Sequence, residues 1–209
     1  MEEYTMSQKL VLASGNKGKL KEFGEVLAPL GFEVVAQSEY KVPEVDETGL
    51  TFIENALLKA REASRVSGQP AMADDSGIEV DALNGAPGIY SARFSGLGAT
   101  DTENNAKLLA DLKGLPQAAR TARYWCVLVY LRHADDPTPI IAQGSWEGRV
   151  LEAPEGEGGF GYDPLFYIEA LGCTAAALKP EEKNKYSHRG KATLDLVHQL
   201  TQRQAKTSI

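Results

Sequence analysis

Apolar residues follow two rhythms along this chain, and the two alternate from one end to the other. Runs rich in β-branched and aromatic side chains predict strands at residues 9–14, 32–36, 123–132, 140–146 and 165–168. Apolar positions three and four apart predict helices at 19–30, 52–66, 101–112 and 191–200. In the second of these, Phe52, Ala56, Ala60 and Ala63 mark one broad face; Thr48 is the expected cap before it and Gly68 the stop after it. Thr100 or Asp101 caps the third. Residues 71–73 read as a very short strand edge that turns at once into Asp74-Asp75-Ser76-Gly77. Residues 84–88 and 155–159 are turn or loop material, 181–185 a helical turn, and 187–190 a turn or cap. Strands and helices intermixed in this way predict an α/β layered fold.

A length of 209 residues, 43% of them hydrophobic and 24% charged, is enough for one domain with an ordinary core and excludes a many-domain architecture. The expected organisation is an extension at 1–8, a folded domain at 9–200 and a polar tail at 201–209. Lys plus Arg is 22 and Asp plus Glu 29, so the net charge is 22 − 29 = −7. That balance disfavours nucleic acid as a partner, yet local lysines and backbone N–H groups can still form a pocket for a small anion. The start is acidic and no run approaches about 18 apolar residues, so no membrane partner and a cytoplasmic location are expected. Cys126 and Cys173 read as reduced thiols. With no CxxC pair, and His133, His188 and His198 far apart, zinc is disfavoured.

Several short segments carry possible chemistry. Ser14, Gly15, Asn16, Lys17, Gly18 and Lys19 lie between a strand and a helix, where backbone N–H groups and lysines can cradle phosphate; the same residues also make a plain turn. Asn55 and Lys59 share a helix face beside Glu54, either as phosphate and metal ligands or as a solvated surface. Asp74 and Asp75 follow an apolar stretch, where two adjacent carboxylates are costly unless compensated; they suit either Mg²⁺ with phosphate oxygens or an acidic strand-end turn. Phe160, Gly161, Tyr162 and Asp163 can stack on a nucleobase and read its edge, or form an aromatic-packed turn. Lys183, His188 and Arg189 offer donors suited to base carbonyls or to an ordinary polar surface.

Taken in order, SGNKGK, TFIENALLKA, ADDSG, GAPGIYSARFSG, GGFGYDPLF and EEKNKYSHRG resemble the inosine/xanthosine triphosphate pyrophosphatase family over residues 9–200. The resemblance implies an elongated two-lobed α/β subunit of the Maf and Ham1 type, with a central mixed β-sheet flanked by helices. It implies a homodimer that hydrolyses ITP, dITP, XTP and dXTP to the monophosphate and pyrophosphate with Mg²⁺, keeping these nucleotides out of nucleic acid. The active site is expected in the cleft between the lobes. Residues 14–19 would cradle phosphates, Lys59 would neutralise them, and Asp75 would act as general base or metal-linked carboxylate. Asp74, with Glu44 or Glu47, would complete the metal shell. Ser76, Phe160, Gly161, Tyr162, Asp163, Lys183, His188 and Arg189 would bind substrate. A non-catalytic nucleotide sensor and a Maf-type pyrophosphatase of other bases are the competing readings; the SHRG segment favours the inosine branch.

Overall fold

The apolar run Leu10-Val11-Leu12 is completely buried and forms the end of β1 (Gln8–Leu12). β2 (Phe32–Ala36) runs parallel to it, Gln8 opposite Phe32 and Leu12 opposite Ala36, and β3 (Ala71–Val80) runs parallel on its other side, with Val11 opposite Ala71. Runs of this kind, without alternation, suit parallel strands covered on both faces. The computed structural model describes residues 7–207. The remaining strands are β4 (Thr121–Leu131), β5 (Ile140–Val150), β6 (Phe166–Ile168) and β7 (Cys173–Thr174), and the hydrogen-bonded order is β2-β1-β3-β4-β5-β6-β7. With β5, β6 and β7 antiparallel, the sheet is mixed.

The helices are α1 (Lys17–Leu27), α2 (Phe52–Ser67), α3 (Asp101–Asp111), α4 (Pro180–Tyr186) and α5 (His188–Thr207). The chain divides into two compact units, the first made of Met1–Asp75, Val127–Gln143 and Ala192–Ile209, the second of Ser76–Cys126 and Gly144–Lys191. In the first unit Ala56, Ala60 and Ala63 of α2 pack with Val11, Val35, Ala71, Val127 and Val129. Alanines at this spacing form one face of a helix, and their small side chains let its backbone come close to the strands. The second unit closes over Ile78, Val80, Leu108, Tyr124, Trp146, Tyr162 and Phe166. No helix among the described residues is long and apolar enough to cross a membrane, and Cys126 and Cys173 are not joined in a disulfide.

Of the boundaries that differ from expectation, three do so for a clear local reason. The cap of α2 is Thr51 rather than Thr48: Thr51 Oγ1 accepts from the Glu54 N–H at 3.2 Å, and Glu54 Oε2 accepts from the Leu50 N–H at 2.8 Å. β3 does not stop at Ala73 but continues through both aspartates to Val80, because each carboxylate meets a lysine. α5 begins at His188, with Ser187 Oγ accepting the Gly190 N–H at 3.1 Å, so His188-Arg189-Gly190 is its first turn. A Cβ on Gly190 would lie 1.8 Å from the Asn184 carbonyl, so only glycine fits this joint. α5 carries the expected polar tail to Thr207, and of the expected extension only residues 7 and 8 lie among the described residues.

Candidate active site

In the first unit, side chains from three segments converge on the aspartate pair. Successive residues of a strand face opposite ways, so Asp74 and Asp75 meet different partners. Lys19 Nζ holds both oxygens of Asp74, at 2.9 and 2.8 Å, and the Asp74 side chain is only 2% exposed. Lys59, on the buried side of α2, places Nζ 2.9 Å from Glu47 Oε1 and 3.2 Å from Asp75 Oδ1. The other Asp75 oxygen, Oδ2, is buried without a partner. Burial pushes the Asp75 carboxyl above the usual carboxylate range; Lys59 opposes the shift, and the like charge of Glu47 adds to it. Burial works to lower the Lys59 ammonium, but Asp75, Glu47 and Asp74 together hold it above its ordinary value.

The loop at residues 14–19 is built mainly by Asn16. Its Oδ1 accepts the N–H groups of Gly18 at 2.8 Å and Lys19 at 3.1 Å, while Ser14 Oγ accepts the Asn16 N–H at 3.2 Å. Two of the backbone donors expected to face phosphate are therefore occupied by the helix cap. Gly15, Lys17 and Gly18 stay exposed at the positive end of α1.

The expected metal shell is Asp75 and Asp74 with either Glu44 or Glu47. No group of three or more His, Cys, Asp or Glu side chains that could hold a metal ion occurs among the described residues. Asp74 is committed to Lys19, and Glu44 is exposed. Glu47 and Asp75 share Lys59 as a partner. Mg²⁺ is commonly bound by one or two carboxylates with substrate phosphates and water in its other positions, so this pair, with the orphaned Oδ2, fits such an ion. Asn55 supports the arrangement: it is fully buried, and its Oδ1 accepts the Gly49 N–H at 2.8 Å, two residues beyond Glu47.

In the second unit Asp163 is the hub of the Phe160-Gly161-Tyr162-Asp163 loop. Only 1% exposed, it accepts the Phe160 N–H at 2.8 Å, the Tyr124 hydroxyl at 3.3 Å and the Lys183 ammonium. Phe160 is 60% exposed, and Lys183 Nζ and the Arg189 guanidinium lie 4.3 and 6.0 Å from its ring centroid. Tyr162, expected at the substrate, instead belongs to the core: it is buried, and its hydroxyl donates to the Ser91 carbonyl at 2.7 Å. His188 is buried and stacked on Tyr124, with centroids 4.7 Å apart. Ser76 Oγ is buried without a partner.

Two residues of α3 hold this loop: Asp101, expected only as a cap, and Asn105, which the sequence did not single out. Asp101 Oδ2 accepts the Gly161 N–H at 2.6 Å, and Asn105 Nδ2 donates to the Gly161 carbonyl at 2.8 Å. Their i,i+4 spacing places them on one face of α3, but nothing in the sequence around them indicates a partner some sixty residues away.

The family model for the Ham1 family matches residues 10–199. The chain is 56% identical over 199 residues to the dITP/XTP pyrophosphatase of Vibrio parahaemolyticus, covering 95% of this chain and 100% of that protein. It is 59% identical over 192 residues to the protein of the same name from Photobacterium profundum, covering 92% and 98%. Among solved structures, a HAM1 protein from Coxiella burnetii matches with a TM-score of 0.90 at 46% identity, over 93% of this chain and 99% of that one. A nucleoside-triphosphatase / dITP/XTP pyrophosphatase from Mycobacterium abscessus matches with a TM-score of 0.77 at 42% identity, over 90% and 97%.

Proposed function

The chain belongs to the Ham1 family, and on that premise we propose that it hydrolyses ITP, dITP, XTP and dXTP to the nucleoside monophosphate and pyrophosphate. Cleavage of the α–β phosphoanhydride keeps these purines out of nucleic acid. The observation that carries the reading is the placement of Lys59 between Glu47 and Asp75, with one Asp75 oxygen buried and unpartnered.

In this reading Glu47 and Asp75 hold Mg²⁺, which when bound neutralises polyphosphate oxygens and orients the substrate. Asp75, as general base or as metal-linked carboxylate, activates the water that attacks the α-phosphorus. Lys59 and Lys17 stabilise charge developing on the phosphates, and Lys19 fixes Asp74 beside the base. Pyrophosphate is the leaving group. Phe160 supplies the exposed ring on which a purine stacks, and Lys183, His188 and Arg189 direct donors to the 6-oxo group. Adenine would turn its 6-amino donor against them, a mismatch that costs affinity because desolvated donors are left unpaired. The family resemblance also supports a homodimer working in the cytoplasm, and light scattering on the purified protein tests the dimer.

A substrate panel with Mg²⁺, comparing dITP, XTP, dGTP, dATP and dUTP and separating pyrophosphate from orthophosphate, tests the proposal. Selective turnover of dITP and XTP with pyrophosphate release is expected. Comparable kcat/KM for dATP and dITP would overturn the base selectivity, orthophosphate release would overturn the attacked phosphorus, and tight dITP binding without turnover would mean a sensor.

A further inference from the structure

We infer that Asp101 and Asn105 are positioning residues that grip the Gly161 peptide from both sides and so present the Phe160 ring to the base; this rests on the substrate class proposed above. Gly161 lies at φ +61°, between a residue whose ring is exposed and one whose ring is in the core. Asp101 takes its N–H at 2.6 Å and Asn105 donates to its carbonyl at 2.8 Å. The flanking residues are tied as well, Phe160 through its N–H to Asp163 and Tyr162 through its hydroxyl to the Ser91 carbonyl. An exposed aromatic ring on free backbone would sample many directions, and ordering it on binding would cost affinity. Here the chain under the ring is tied at three successive residues, through the backbone of Phe160 and Gly161 and the hydroxyl of Tyr162, so the ring is set in advance.

The clamp is also separable from the stability of the helix that carries it. Thr100 and Glu103 close the end of α3 with a capping box that does not use Asp101. The Asp101 carboxylate is thus available to Gly161, and alanine at this position keeps the cap. Because Lys183 and Arg189 stand 4.3 and 6.0 Å from the Phe160 ring centroid, a shift of the ring changes its relation to the base donors. The clamp therefore governs discrimination between bases as well as affinity.

The test compares Asp101→Ala, Asn105→Ala and Asp101→Asn with wild type. Its readouts are kcat and KM for dITP and dATP, dIMP affinity, inhibition by inorganic pyrophosphate and thermal stability. Each alanine variant is expected to raise the dITP KM and weaken dIMP binding about tenfold, the scale of one charge-assisted or well-placed hydrogen bond. kcat at saturation and pyrophosphate inhibition should stay near wild type, and the dITP preference over dATP should fall. Asp101→Asn, which still offers an oxygen to the Gly161 N–H, should remain within about twofold of wild type. Unchanged dIMP binding in Asp101→Ala would overturn the clamp, as would parallel losses of dIMP and pyrophosphate binding. If Asn105→Ala does not fold, the two Asp101 variants decide the matter. A wild type without dITP selectivity refutes the substrate class before any variant is compared, whereas a selective wild type with unaltered variants refutes the clamp alone.

Discussion

Lys59 stands 3.2 Å from one oxygen of Asp75, while the other oxygen of the same carboxylate is buried with no partner at all. The first contact restrains a carboxyl that burial would otherwise push further up, and the second leaves an oxygen with lone pairs unused. A group so placed is anchored at one end and available for chemistry at the other.

Asp75→Asn keeps the shape of the side chain and removes its basicity. We expect kcat for dITP to fall by about 10²- to 10⁴-fold, the usual worth of a positioned base, with the fold retained. Steady-state kinetics together with circular dichroism check this, and near-normal turnover would exclude Asp75 as the base.

Glu47→Gln and Glu44→Gln separate the two acids that the sequence leaves open. Glu47 contacts Lys59 and Glu44 is exposed, so the half-saturating Mg²⁺ concentration should rise at least about tenfold in the first variant and stay unchanged in the second. A magnesium titration of dITP hydrolysis provides the comparison, and the reverse ranking would move the metal ligand to Glu44.

How much of this was readable beforehand depends on whether the signal is local. Helix α2 was legible because Ala56, Ala60 and Ala63 repeat at helical spacing, and its true cap was legible too in Thr51-x-x-Glu54, which the more distant Thr48 obscured. The extension of β3 through Asp74 and Asp75 was not, since a strand carrying two buried acids is plausible only once Lys19 and Lys59 are known to reach them. The same holds for Tyr162, whose place in the core is set by Ser91, and for Asp101 and Asn105, whose partner is Gly161. Residue type and order pointed to the chemistry of the site, but partners distant in sequence decide which groups are occupied.

Lys19→Met leaves the Asp74 carboxylate, 2% exposed, without its ammonium. Removing one partner of a buried pair costs about 3–5 kcal/mol, and the low end is expected here because Lys19 is 23% exposed. Urea denaturation should show this loss, and the double variant Lys19→Met/Asp74→Asn should recover most of it. Equal losses in the single and double variants would mean that the cost is packing rather than charge.

Asp136 makes a clear acid-side prediction. The Arg132 guanidinium, bonding its oxygens at 2.9 and 2.6 Å, and the backbone N–H groups of Arg132 and Thr138 hold its carboxyl well below the usual carboxylate range. The folded state therefore binds this proton less readily than the unfolded state. The stabilisation is fully present above the ordinary carboxylate value of about 3.9 and is lost as pH falls below it toward the depressed folded value. Urea midpoints between pH 2 and 7 should show less acid-side loss in Asp136→Asn, with neutral-pH stability lower by about 1.5–3 kcal/mol. An unchanged acid limb would exclude this carboxyl as its source.

Because Asp74 and Asp75 leave β3 on opposite faces, which of them meets Lys59 is a matter of parity. Advancing the strand by one position relative to β1, where Val11 now meets Ala71 and Leu12 meets Met72, would deliver Asp74 to the position facing Lys59, bring Ala73 to the position facing Lys19 and carry Asp75 on to the position of Ser76. A single-residue insertion between residues 71 and 73 would thus leave Lys19 facing an alanine, and a deletion there would leave Lys59 facing Ser76, while the acids themselves stay in the sequence. Counting from the apolar start of this strand is as much a part of the enzyme's chemistry as the carboxylates it carries.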